Sequence, residues 1–461
     1  MILHARRRRT AGLIATSAIL FLAAGCGARL TKAQEAALAN SSGSGAGAAA
    51  GAGTGSGAET ATTAAANAAG ATAAGAATGG SNGNHTAAGP ARTTPAGQSG
   101  PAPVTGSTSP LAGPGGRLCP PGAAGSGPGV TASTVTIGNI STINGPVPGL
   151  FAGARSGTQA FAAYANSLGG ICGRKLVVAA ADDQFDQASD QSEAQSLAGQ
   201  VLAFVGSFSL QDAGIPGGAP GVPDVGQTLS SARFSSATNF APQPQPPGFT
   251  TGAYQYFGQA PATKSGTQHL AILIENTPQT ETNGKWEEDA LKSVGYNFIF
   301  TDPNIQPTDP TFNNDVQKMK NQGVTGVVFQ ATAAIVGQLA NAMYQAGMQI
   351  NFGNYVTTAY DPAFLAAAGP GAQGTVLEQQ LALYQGEDAA AIPMVATFDQ
   401  WYSRVNPGKT PDLYAAYGWI SGLLFAQGLN AGGALTRPAL LAGLKQITSF
   451  DGGGMSATSN P

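Results

Sequence analysis

The stretch from Thr134 to Asp186 constrains the fold of this chain more than any other. Val135 to Ile140 is a β-branched, apolar strand, Asn144 to Gly149 is a Gly/Pro turn, and Leu150 to Leu168 has the spacing of an amphipathic helix. Gly169-Gly170 stops that helix, and Lys175 to Ala181 is a second strand. Strand, helix and strand of these lengths make a βαβ unit with parallel strands. A run as apolar as Val135, Ile137 and Ile140 suits a parallel sheet covered on both faces.

Strand and helix signals keep alternating beyond this unit. The pattern predicts helix Gln187 to Gln200, strand Val201 to Val205 and, after a short Gly/Pro-broken helix, strand Val222 to Val225. A second series opens with strand His269 to Ile274. It continues with helix Gly284 to Val294, strand Tyr296 to Phe300, helix Thr311 to Gln322, strand Val324 to Gln330, helix Ala333 to Ala346 and strand Gln349 to Asn354. Two such series imply an α/β fold of two doubly wound, Rossmann-like lobes. Phe249 to Tyr256 and Thr375 to Leu383 are expected to be extended crossovers that act as hinges. The helices Val395 to Val405 and Pro411 to Leu429 then return to the first lobe, with Leu413, Ala416, Tyr417, Ile420, Leu424 and Gln427 forming one core-facing stripe.

The N-terminal quarter is of another kind. Arg6 to Arg9, an apolar run from Ala11 to Leu22 and the small residues Ala23-Ala24-Gly25 before Cys26 are the three parts of an export signal. A small-residue triplet directly before a cysteine resembles the bacterial lipobox, in which the cysteine is lipidated and becomes the mature N-terminus. The alternative is an ordinary signal peptide with an incidental cysteine. The run is shorter than the roughly 20 apolar residues that a membrane span requires. From Asn40 to Gly116 the chain is almost entirely Ala, Gly, Ser, Thr and Pro, too little apolar area to offset backbone entropy, and is expected to be a disordered tether. The resulting division is a signal peptide at 1–25, a tether at 26–116, lobe 1 from 117 to 250, lobe 2 from 257 to 375 and a return to lobe 1 over 384–461.

Cys26 aside, Cys119 and Cys172 lie just before the first and second strands. Parallel strands of a βαβ unit start at the same end of the sheet, so the two thiols are placed to meet, and an exported domain preserves disulfides. Closing that loop would stabilise the fold by about 4 kcal/mol on the chain-entropy view; free thiols are the alternative.

Signs of catalysis are few. The three histidines are His4 in the signal, His85 in the tether and His269 at a strand start, so a Ser-His-Asp triad has only His269 to draw on. No H-x-x-x-H or C-x-x-C spacing for zinc occurs. Gly408-Lys409-Thr410 imitates the end of a P-loop, but Ser403 stands where the first glycine belongs and Pro411 follows at once. Asp182-Asp183 ends a strand, where adjacent side chains point to opposite faces and cannot act as a pair. A net charge of −3 offers no basic field for nucleic acid. No enzyme, cofactor or metal is expected.

Gly145-Pro146 after the first strand, Asn166-x-x-Gly169-Gly170-Ile171-x-Gly173 at the helix end, Lys175-Leu176 and Asp182-Asp183 followed by Asp186 together resemble type I periplasmic binding proteins. The narrower resemblance is to the Leu/Ile/Val receptor branch that serves ABC transporters, and it covers Thr134 to the C-terminus. It implies a lipid-anchored extracytoplasmic receptor at the cell membrane that closes its two lobes on a small polar ligand and delivers it to a membrane ABC permease. A sensing lipoprotein of the same fold, or an inert one with a decayed pocket, are the other readings. Ligand contacts fall at strand ends, because loop backbone and helix N-termini converge there. They are expected at Leu150 and Phe151, at Ser207, Phe208 and Ser209, and at Thr228, Leu229 and Ser230, whose hydroxyls suit a carboxylate. In the second lobe the resemblance points to Gln279, Thr332 and Tyr355. Tyr355 stands where many members place an acid for the ligand ammonium, and a buried ammonium without a counter-charge costs several kcal/mol. An amide or an aromatic or hydroxylated carboxylate is then as compatible as an α-amino acid, with Asp361 or Glu378 as substitute charges. Family members usually continue beyond this C-terminus with another strand that makes a third crossover.

Overall fold

The computed structural model describes residues 125–243, 249–306, 308 and 311–461. The signal, Cys26, the tether and Cys119 all lie outside the described residues.

The first lobe begins with β1 (Thr134–Ile140), α1 (Ala152–Ser167), β2 (Lys175–Ala181) and α2 (Gln187–Ala198). There follow β3 (Phe204–Val205), α3 (Gly214–Gly218), β4 (Asp224–Val225), α4 (Ser231–Phe234) and β5 (Asn239–Phe240). The second lobe contains α5 (Gly252–Gln259), α6 (Lys264–Thr267), β6 (Leu270–Glu275), α7 (Pro278–Ser293), β7 (Phe298–Ile305) and α8 (Asn313–Asn321). It is completed by β8 (Gly326–Gln330), α9 (Ala333–Gln345), β9 (Phe352–Asn354), α10 (Pro362–Ala368) and β10 (Thr375–Val376). The helices α11 (Pro393–Val405), α12 (Leu413–Gly432) and α13 (Arg437–Leu444) then pack back on the first lobe.

Each lobe is one five-stranded parallel sheet. The orders are β2-β1-β3-β4-β5 and β10-β9-β8-β6-β7, which is the same 2-1-3-4-5 arrangement used twice. The βαβ unit read from the sequence is present with β1 and β2 in continuous register from Thr134 opposite Lys175 to Ile140 opposite Ala181.

In the first lobe α12 is central. Its expected one-sided stripe is a correction: Trp419, Leu423, Phe425 and Ala426 lie off that face yet are fully buried as well. The physical reason is that α12 is enclosed by α1, α13 and the β3 and β4 strands. Its approach to α1 depends on glycine. A Cβ on Gly157 would lie 1.9 Å from the Ala415 carbonyl oxygen, and one on Gly418 would lie 2.2 Å from that of Ala154. Both obstacles are backbone, so neither can rotate away.

Phe249 to Tyr256 is the other element that departs from expectation, since Gly252–Gln259 is helical. Tyr254 and Tyr256 alternate like strand residues. Instead Tyr254 inserts against Leu270, Ile272, Tyr296 and Phe352 with no exposure, Tyr296 donates to its carbonyl at 2.9 Å, and Tyr256 is left in solvent. The waist between the lobes is stitched by hydrogen bonds. Gln243 donates to the Gln380 carbonyl at 3.3 Å, Ala457 N–H donates to the same oxygen at 3.1 Å, and Ala382 N–H donates to Met455 at 2.8 Å. The Ser459 hydroxyl donates to the Pro242 carbonyl at 3.0 Å. The segment after α13 therefore runs along the waist and pairs with the Gln380–Ala382 crossover.

The α1–α12 seam makes a direct prediction. Gly157→Val should lower the free energy of unfolding by about 1–3 kcal/mol or more, because the helices must separate. Gly199→Ala, where a Cβ would meet nothing and φ is −80°, should change it little. Paired urea melts would decide; equal effects at the two positions would show that the seam tolerates added volume.

Candidate functional site

In a sheet of order 2-1-3-4-5 the connections diverge between the first and third strands, leaving a crevice beyond their carboxyl ends. Here both crevices open onto one interlobe cavity of about 290 Å³. From the first lobe it is lined by Leu150 and Phe151 after β1, Phe208 and Leu210 after β3, and Gln227 to Ser231 after β4. From the second lobe come Glu275 at the tip of β6, Gln330 at the tip of β8, Thr280, Asn283 and Trp286 of α7, and Thr332 before α9. Glu378 and Gln380 of the waist, with Thr357 and Thr358, complete the wall.

The first-lobe loops are held by a buried cation. Arg233 in α4 has no exposure and forks onto Asp224, with Nε and Nη2 donating to its two oxygens at 2.7 and 2.8 Å. Nη1 donates to the Ser207 carbonyl at 3.1 Å, to Gln227 at 3.2 Å and to Asp212 at 3.3 Å. Asp212 in turn accepts the N–H groups of Leu229 at 2.9 Å and Ser230 at 3.0 Å. One guanidinium thereby ties the β3 loop to the β4 loop.

An aromatic wall stands on this scaffold. Phe151 meets Phe208 and Tyr414 edge-on at 4.8 and 4.6 Å, and Phe208 stacks on Tyr417 at 5.7 Å and 11°. The opposite wall contains Glu275, which is 4 % exposed and whose Oε1 has no hydrogen-bond partner. Burial alone pushes this carboxyl up to about 7. Glu378 accepts from the Thr250 hydroxyl at 2.9 Å. Behind them Glu287, buried and bonded to Gln330 Nε2 at 2.7 Å, is raised by burial to about 8. A second compartment shares Leu150, Thr332 and Tyr414 and adds Asp361 and Asp412. Asp412 is raised to about 6, mainly by burial. Among the described residues no Lys, Arg or His lines either compartment.

The structure brings together Leu150, Phe151, Phe208, Thr228, Leu229, Ser230 and Thr332 in the main cavity, together with the substitute charge Glu378; Asp361 lies in the second compartment. It places Ser207, Ser209 and Tyr355 elsewhere. Ser207 Oγ accepts Ile140 N–H at 3.0 Å. Ser209 Oγ donates to Asp183 while accepting from Gln211 N–H at 2.8 Å and Thr142 Oγ1 at 3.2 Å. Ser209 thereby gives its proton to an acid of its own lobe, and Ser207 Oγ is engaged with the β1 backbone. Tyr355 is 1 % exposed, packs on Phe364 and belongs to the core of the second lobe. Gln279 is the second residue of α7. Asp182 and Asp183 hold the loop after β1. Burial opposes ionisation of Asp182, but the N–H groups of Ile143, Gln184 and Asn144 outweigh it and hold the group below the usual carboxylate range.

Glu275, Trp286, Tyr414 and Tyr417 are cleft residues that pattern reading passed over. Glu275 did carry a signal, as a carboxylate closing the otherwise apolar run LAILIE. Tyr417 had been counted with the core stripe, and its ring belongs both to that core and to the cleft wall.

Residues 134–460 match the profile of the family described as periplasmic binding protein. The chain belongs to this family. Its members are extracytoplasmic solute-binding proteins rather than enzymes. A curated relative, Leu/Ile/Val-binding protein homolog 3 of Brucella melitensis, is 25 % identical over 257 residues, which is 52 % of this chain and 66 % of the relative. The chain thus matches just under two thirds of that relative's length. A fatty acid ABC transporter substrate-binding protein from Thermomonospora curvata superposes with a TM-score of 0.60 at 20 % identity, covering 72 % of this chain and 86 % of that one. A branched chain amino acid ABC transporter protein from Thermus thermophilus with bound valine gives 0.61 at 13 %, covering 71 % and 87 %. At these identities the two structures establish the shared two-lobed fold. Among the described residues of this periplasmic binding protein, no helix is long and apolar enough to cross a membrane, and no cluster of His, Cys, Asp and Glu is placed to hold a metal ion.

Behind the cleft loops Asp190 is fully buried with neither oxygen hydrogen-bonded, and burial pushes it up to about 8 although Arg233 pulls the other way. A carboxyl raised from 3.8 to about 8 on folding is bound to a proton in the native state, so folding takes up that proton. Its contribution to stability is full below about pH 4 and is lost as pH rises towards 8. Asp190→Asn should therefore gain stability over the parent progressively between pH 5 and 8, by on the order of a few kcal/mol at the upper end. Thermal melts across that range that fall in parallel for the two proteins would contradict a buried, protonated Asp190.

Proposed function

We propose that this chain is the solute-binding subunit of an ABC transporter, tethered outside the cell membrane by lipidation of Cys26, which closes its lobes on a small organic solute and presents it to a membrane permease. The observation that carries this reading is one cavity walled by strand tips of both lobes at their two divergence points, with the crossovers of the waist at its edge. A ligand that touches both walls is bound more tightly by the closed form, and that difference in affinity is what drives hinge closure. Leu150, Phe151, Phe208, Leu229, Trp286 and Tyr417 offer it an apolar body site. Thr228, Ser230, Thr332 and the amide of Gln330 offer polar contacts. The names of the relatives, which refer to leucine, isoleucine, valine and fatty acids, also concern solutes with apolar bodies.

The chain order would be a signal over 1–25, a flexible leash over 26–116, lobe 1 from 117–250 and 384–461, and lobe 2 over 257–375. A leash of this kind keeps the receptor concentrated near its permease while letting it reach outward. Pairing of Cys119 with Cys172 belongs to the same proposal. Cys172 lies in the tight Ile171–Arg174 turn that leads into β2.

Two experiments test this reading. A thermal-shift panel of amino acids, amides, amines, fatty acids and aromatic acids against the full chain should find a solute that stabilises it, by about 2.7 kcal/mol at a hundred times its Kd. The same solute should shrink the radius of gyration in small-angle scattering. A panel with no shift would sink the receptor reading. Intact-mass and non-reduced peptide analysis of the membrane-extracted protein should show a diacylglyceryl group on Cys26 and a Cys119–Cys172 peptide; an unmodified N-terminal segment would remove the anchor.

A further inference from the structure

We infer that the cleft is built for an organic cation, a primary amine on an apolar or aromatic body without a carboxylate, and not for an amino acid or a fatty acid. This inference deepens the receptor reading above and rests on it.

Three of the donors on the lobe that would receive a carboxylate are already given to that lobe's own acids. The N–H groups of Leu229 and Ser230 are donated to Asp212, and the Ser209 hydroxyl is donated to Asp183. Behind these loops a ligand carboxylate would find the carboxylates of Asp183 and Asp212, while Arg233 is already committed to Asp224 and Asp212. Like charges repel, and more strongly where the surroundings are of low dielectric.

The facing wall has the opposite deficiency. Glu275 is a buried carboxyl on the cavity wall, with an oxygen that no group among the described residues bonds, and Glu378 shares the wall with it. Asp361 and Asp412 line the adjoining compartment. A buried carboxylate is costly without a paired cation, and the described residues of the two compartments supply none. An ammonium group would supply it, and the apolar wall of Phe151, Phe208, Tyr414 and Tyr417 would flank the body that carries it. Trp286 and Leu229 leave an apolar pocket for the rest of the molecule.

Isothermal titration of the full chain with two matched series separates the possibilities. One series is 2-phenylethylamine, phenylalanine and 3-phenylpropanoate; the other is isopentylamine, leucine and 4-methylpentanoate. The amine of at least one series should bind ten times or more tightly than its amino acid and acid partners. Glu275→Gln should weaken it about tenfold or more, and so should Glu378→Gln, with the unliganded melting temperature not lowered in either variant. Tighter binding of an amino acid or acid, or amine binding unchanged in both variants, would overturn the inference and leave the receptor reading standing. The same follows if all six fail while another solute of the wider panel binds. Failure of every solute in both experiments would remove the receptor reading as well.

Discussion

The geometry of the binding face rests on a single buried cation. Arg233 sits between the third and fourth strands of the first lobe, and without it Asp224 and Asp212 would be left as unpaired charges in the interior. Loss of one partner from such a group costs about 3–5 kcal/mol. Because Asp212 also holds the N–H groups of Leu229 and Ser230, the guanidinium sets where the fourth-strand loop faces the cleft. Asp190, a further acid near this centre, stays protonated because its burial outweighs the pull of Arg233.

Around that centre the fold repeats one solution to one problem. A parallel sheet must be covered on both faces, so each strand is followed by a crossover, and the order 2-1-3-4-5 leaves a crevice where crossovers diverge. Two such sheets in one chain, joined at a waist that the final segment also strengthens, bring two crevices into opposition. The seam of Gly157 against Ala415 and Gly418 against Ala154 lets α1 and α12 touch backbone to backbone, which docks the returning helix closely against the first lobe.

The chemistry of the cleft follows from which polar groups that packing uses up and which it leaves. On the first lobe the Ser209 hydroxyl and the N–H groups of Leu229 and Ser230 are given to internal acids. On the second lobe the Oε1 atoms of Glu275 and Glu287 have no hydrogen-bond partner among the described residues. Aromatic rings fill the space between. A cavity whose buried carboxyls lack a paired cation is selective by subtraction: solutes that bring a cation gain, and those that bring an anion lose.

The local pattern of residues was enough to determine the two-lobed parallel architecture. Strand β2 begins and ends where the alternation of turn and apolar residues places it, and α1 ends at Gly169-Gly170, because hydrophobic period and glycine punctuation act over a few residues. The same is true of the cleft positions that simply follow strand ends, such as Phe151, Phe208 and Thr228. What only the tertiary structure decided was the partner of each polar group. Ser209 and Asp183 are 26 residues apart, and Asp212 and Ser230 are 18 apart, so nothing near either serine in the sequence announces that its donors are taken. Gly252–Gln259 is a helix for the same reason: burial of Tyr254 against a sheet formed later in the chain overrides its strand-like alternation. Distant contacts, which no short window contains, fixed the charge balance of the cleft and with it the kind of molecule it can hold.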